Sequence, residues 1–197
     1  MSLSDRLRSA VGRLARDRRG AVAVEAAVVL SLLMLAGVVG VDGARYLQLT
    51  ARAERLAANL ADIASRGDPM RDRVLVDDQT QVGDVGMIFR LARMMARPAD
   101  LTAEGGVVLS SVSGTGAGVA VNWMRADGPE ATASAERLAG IGALPSGDDF
   151  IVVEVFLPFD AILLETARLG VGLPPSIYRR AVFRSRGADL SVLEALS

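Results

Sequence analysis

Arg18-Arg19-Gly20-Ala21-Val22-Ala23-Val24-Glu25 leads into residues 21–41, AVAVEAAVVLSLLMLAGVVGV, and Glu25 is the one charged residue in those 21. As an α-helix the run covers about 31 Å, roughly one hydrocarbon core. The apolar region of a secretory signal is usually about 7–15 residues. This run is longer, and no strong A-x-A cleavage site follows it. Two readings follow from its length: a permanent anchor or a cleaved secretory signal.

Charge gives the run a direction. Residues 1–20 hold six arginines (6, 8, 13, 16, 18 and 19) against Asp5 and Asp17, a balance of +4 in a chain of net −1, so the rest carries −5. Only Arg45, Arg52 and Arg55 follow the run within a comparable distance. Basic flanks stay cytoplasmic, which directs the C-terminal body out of the cytoplasm. A basic tip on an acidic body also argues against nucleic acid as a partner, because binding it needs a basic face on the folded part.

The junction itself is the sharper signal. A basic leader containing Arg18 and Arg19 ends in Gly20, and an apolar helix with a carboxylate at its fifth position starts at Ala21. Glycine suits a cleavage point because a protease can take its backbone in an extended form at close range. A carboxylate within an apolar span is costly unless it finds a partner or water. Glu25 lies only about 7 Å along the helix from Gly20, so reaching the headgroups is one solution.

This pattern resembles the prepilin peptidase site of type IV pilins and pseudopilins. The longer string Arg19-Gly20-Ala21-Val22-Ala23-Val24-Glu25-Ala26-Ala27, a Leu-rich run, and then Asp42-Gly43-Ala44-Arg45-Tyr46 is similar to TadE-like proteins of tight-adherence pilus systems. The resemblance implies cleavage between Gly20 and Ala21. It also implies pairing of Glu25 with the freed Ala21 amine of a neighbouring subunit. The implied partners are a prepilin peptidase, other pilins and the assembly platform, at the bacterial inner membrane. The N-terminus would be cytoplasmic and the body periplasmic, with incorporation into a pilus a further expectation. A major pilin of this branch usually has Tyr after the Glu and a very short body. Here Ala26 follows, and 197 residues less 20 leaves 177, which favours a minor component.

Beyond the membrane, no proline interrupts residues 1–68, so the helix should continue over 42–66 and stop at Arg66-Gly67-Asp68-Pro69. Leu49, Ala53, Leu56, Leu60 and Ile63 form one apolar stripe, the expected seat of the protein's own domain over 67–197. Residues 67–83 read as an irregular acidic link. A second helix is expected over 84–96, with Val85, Ile88, Phe89, Ala92 and Met95 inward and both Met94 and Met95 as core filler. Strands are expected at 106–112, at 119–125 with Val119, Val121 and Trp123 on one face, at 150–157 and at 178–186. Short helices are expected over 130–139 and 160–169. The fold class is therefore α+β: a long N-terminal helix packed on an antiparallel sheet of about four strands, the pilin-like architecture. Trp123 reads as a core anchor and Glu154 as a residue on the solvent face of its strand. The strand segments around Trp123 and Glu154 also resemble the distal half of TadE-like proteins.

No catalytic constellation is apparent. The chain lacks Cys and His, and all 22 basic residues are Arg. That removes thiol nucleophiles, imidazole bases, the common metal ligands and a Ser-Lys dyad. Asp77-Asp78 and Asp148-Asp149 are adjacent acids beside loops without an EF-hand pattern. Gly114, Gly116 and Gly118 open no helix, so they form no phosphate cradle. No cofactor, metal or enzymatic activity is expected. A permanently anchored, unprocessed periplasmic scaffold or binding protein is the rival reading.

Overall fold

A computed structural model describes residues 18–66, 70–77, 79–161, 173–186 and 189–194. Helix α1 (Arg18–Ser65) is one uninterrupted helix of 48 residues. Its apolar part passes through Gly37, Gly40 and Gly43 without a break; the absence of proline leaves every intrahelical amide available. Helix α2 (Val85–Ala96) packs beside it, and α3 (Ala135–Ala139) is a single short turn capped by Ser134. The expected helix over 160–169 falls largely outside the described residues.

Strands β1 (Gly106–Gly114), β2 (Val119–Asp127), β3 (Asp149–Pro158) and β4 (Ser176–Arg184) form one antiparallel sheet in the order β2-β1-β3-β4. The C-terminal half of α1 lies on one face of this sheet. Its buried residues are Ala53, Leu56, Ala57, Leu60, Ala61 and Ala64, and they meet Val107, Leu109, Ile151, Val153 and Val155 from the strands. The expected stripe is thus rotated. Ile63 is exposed, and the alanines take its place because their small side chains let the helix axis approach the sheet closely. In α2 the last inward residue is Ala96, while Met94 and Met95 face outward.

Strand β2 also departs from simple alternation. Ser111 pairs with Trp123, but Val112 pairs with Val121, so Asn122 is an extra residue. Its amide donates to Ser111 Oγ (3.1 Å) and Ser113 Oγ (2.9 Å). This bulge changes which face the flanking residues occupy. Val119 and Val121 therefore pack on the outer face of the sheet, whereas Trp123 enters the main core and donates from its indole nitrogen to the Leu190 carbonyl at 2.8 Å.

The outer face has its own small core. Leu138 of α3 covers Val112, Phe150 and Val152, with Ile141 and Leu144 beside them. The crossing segment comes so close that a Cβ at Gly114 would stand 1.9 Å from the Pro145 carbonyl oxygen, a position open only to glycine. The linking segment after α1 is held by paired charges. Arg125 Nε donates to Asp72 of this link at 2.7 Å and Arg73 pairs with Asp77 within it, while Arg93 separately ties α2 to Asp127 at the end of β2 with two nitrogens.

Candidate functional site

The leader junction sits on a bare helix. Gly20, Ala21 and Glu25 all lie within α1 and are exposed, and a Cβ placed on Gly20 would meet nothing within 4 Å. Arg18 and Arg19 form the first described turn. Ala21 and Glu25 are one turn apart on one face, with Val22, Val28 and Val29 flanking the carboxylate. From Gly20 to Gly37 no residue is buried by the rest of the chain. By length and composition α1 is sufficient to cross a membrane, and its most apolar window is wholly uncovered. That is compatible with a single-pass anchor.

The helix runs through Gly20 unbroken, so a protease that takes the backbone extended must first open this turn. Glycine lowers helix stability by about 1 kcal/mol relative to alanine, which makes this turn easier to unwind.

A second cluster forms where the bare helix meets the domain. Asp42 is fully buried, and Arg45 donates to its carboxylate at 3.4 Å and to the Asp160 carbonyl at 3.2 Å. The Arg45 guanidinium also stands 6.0 Å over the Phe159 ring, which meets Tyr46 edge to face at 5.3 Å. The string Asp42-Gly43-Ala44-Arg45-Tyr46 thus docks on the chain leaving β3.

A third arrangement lies on the outer face of the sheet. Glu154 is fully buried rather than on a solvent face, because α3 and its flanking loops cover that side. Its Oε1 accepts from Arg137 Nε at 3.0 Å and from the Tyr178 hydroxyl at 2.6 Å. The partner arginine comes from α3, not from the last strand; Arg180 instead donates to the Arg137 and Gly140 carbonyls. Burial first, and then the bond to Glu154, push the Tyr178 phenol up to about 12. Glu154 Oε2 and Ser110 Oγ share this face and have no hydrogen-bond partner among the described residues. A signal for the burial was present: Phe150, Val152 and Phe156 share the parity of Glu154, so both faces of β3 are apolar.

No protein-family model, curated protein or solved structure matches this chain. A functional reading therefore rests on the residues and geometry above. Among the described residues no group of three or more His, Cys, Asp or Glu is placed to hold a metal. Asp148 pairs with Arg184 (2.5 Å) and Asp77 with Arg73 (2.9 Å), so these loop acids belong to surface ion pairs; Asp78 lies outside the described residues.

Proposed function

We propose that this protein is a minor pilin or pseudopilin of the TadE-like group, made as a prepilin, cleaved between Gly20 and Ala21 and used in assembling a Tad-type pilus. The observation that carries the reading is the placement of Gly20, Ala21 and Glu25 at the start of a helix that is bare over its apolar half. The other half of that helix is seated on an antiparallel sheet. A bare apolar helix needs lipid or other helices around it. Before assembly the bilayer supplies this, and in a filament neighbouring helices do.

Glu25 then gains a purpose. Cleavage frees the α-amine of Ala21, which is mostly protonated near neutral pH. Because Ala21 and Glu25 share a face, a neighbour that meets one also meets the other. Each subunit offers an amine and a carboxylate to the opposite charges next to it. Left unpaired in an apolar core, either charge costs several kcal/mol, which penalises wrong register.

In this reading Arg18 and Arg19 hold the leader on the cytoplasmic side of the inner membrane, and the domain lies in the periplasm. Intact mass of the protein from cells with and without prepilin peptidase tests it. The wild type should shorten by the first 20 residues only when the peptidase is present, and Gly20→Leu should stay full length in the membrane. A wild-type chain of one length in both strains would favour the unprocessed scaffold.

A further inference from the structure

Where α1 leaves its apolar run, a groove of about 330 Å³ opens between the helix and the Pro98–Phe159 wall, lined by Arg45, Gln48, Leu49, Arg52, Pro98 and Phe159. It contains two guanidiniums and an amide, and among the described residues no carboxylate lines it. Arg45 is fixed in place by Asp42, the Asp160 carbonyl and the Phe159 ring. Arg52, in contrast, has no hydrogen-bond or ion-pair partner among the described residues. Arg45, Gln48 and Arg52 follow one another at i, i+3 and i+7, so they line a single stripe of the helix.

The depth of the groove indicates its occupant. The apolar run ends at Val41, so Arg45 stands about 6 Å and Arg52 about 16 Å farther along the axis. Helical side chains tilt toward the N-terminus, here back toward the bilayer, so Arg45 lies at headgroup level and the long Arg52 side chain reaches back toward that level from just outside it. A headgroup layer extends about 5–7 Å beyond the hydrocarbon core. The edge-to-face pair of Tyr46 and Phe159 sits at the same level, as aromatic residues do at a membrane–water boundary.

The lining also disfavours an acidic peptide. Its helical residues have satisfied amides, Pro98 has none, and Phe159 N–H donates to the Pro175 carbonyl at 2.8 Å. Among the described residues a peptide carbonyl would find no free main-chain N–H in this lining, while an amphiphile would find guanidiniums beside an apolar wall of Leu49, Pro98 and Phe159.

We propose that this groove binds the phosphodiester of an anionic membrane phospholipid, with Arg52 as the anchor and Arg45 and Gln48 beside it. The proposal rests on the membrane-anchored reading of α1 but not on cleavage or filament entry. It would hold the domain at a fixed height and rotation on the bilayer, with one face of α1 turned toward the lipid surface.

The test uses the full chain inserted in vesicles of equal phosphatidylglycerol and phosphatidylcholine, extracted in mild detergent and weighed by native mass spectrometry. Wild type should retain phosphatidylglycerol in preference to phosphatidylcholine. Arg52→Gln removes no hydrogen bond or ion pair among the described residues and should lower that preference about fivefold. Arg90→Gln, on the exposed side of α2 outside the groove, should leave it unchanged. Equal retention of both lipids, or no effect of Arg52→Gln, would overturn the proposal. Loss of phosphatidylglycerol to inorganic phosphate would reassign the site to a free anion, and Arg52-dependent displacement by polyglutamate would reassign it to an acidic protein. Failure to insert into any vesicle would remove the anchor and the groove proposal together, whereas an inserted chain that is never processed would remove only the pilin reading.

Discussion

The Tyr178 hydroxyl donates to Glu154 Oε1 at 2.6 Å, from strand β4 to its neighbour β3, beneath a cover built from α3. Arg137 reaches the same oxygen from the cover itself, and its guanidinium lies 5.3 Å over Phe156. A single carboxylate oxygen therefore ties the cover to two strands of the sheet.

This arrangement makes stability sensitive to alkali. The Tyr178 phenol is neutral when protonated, and its folded pKa is raised to about 12 from an ordinary value of about 10, by burial first and then by Glu154. A raised folded pKa contributes stability that is complete below pH about 10 and is lost as pH rises through about 12. Ultraviolet titration of the full chain in detergent should show one of its two tyrosines ionising near pH 12. Tyr178→Phe should remove that step. Ionisation of Tyr178 near pH 10 in the folded wild type would contradict the buried pair.

Removing the carboxylate should loosen the cover. In Glu154→Met, Arg137 and Tyr178 lose their shared acceptor, but both are partly exposed and regain some hydration. The expected loss is about 1–3 kcal/mol, less than for a fully enclosed pair. Glu154→Gln keeps an acceptor and should lose less. Urea unfolding followed by fluorescence of Trp123, the only tryptophan, measures both. A Met variant at least as stable as wild type would show that the buried charge costs as much as its bonds return.

The way α1 seats on the sheet separates two residues that the linear pattern treats alike. Leu60 is wholly buried and Ile63 is exposed. Leu60→Ala should destabilise the domain by about 2–5 kcal/mol, and Ile63→Ala by about 0.5 kcal/mol or less. The same fluorescence-detected unfolding decides it. Similar losses at both positions would mean that α1 presents a different face to the sheet.

The contrast between these residues also shows which features were legible in the sequence. The long helix and its end near Ser65 followed from an apolar run and an absence of proline. Four strands in one antiparallel sheet followed from β-branched runs; short links suggested a simple meander, but β1 rather than β2 pairs with β3. Where the reading missed, side-chain size or a local insertion had overridden periodicity. Alanines displaced Ile63 because they permit a closer approach. Asn122 bulged and put Trp123 on the face opposite Val119 and Val121. Glu154 was hidden by a five-residue helix whose own sequence gives no sign of what it covers. The proposed junction needs no tertiary partner: Gly20, Ala21 and Glu25 are defined by spacing on one helix. The lipid-facing groove was not, because Phe159 and Pro98 reach it from distant parts of the chain.

Glu25→Leu tests the central claim most directly, because the two readings of α1 predict opposite results. A permanent anchor gains from the change, since an apolar residue inserts more readily than a carboxylate. An assembling subunit loses, since the Ala21 amine of its neighbour then has no counter-charge. The measurement is crosslinking of the variant to partner pilins, with pilus output, in cells matched for protein level. The account predicts a protein that inserts in the membrane yet forms few crosslinks and few pili, with Glu25→Asp intermediate because it keeps the charge and shortens the reach. Wild-type crosslinks and wild-type pili from Glu25→Leu would contradict it.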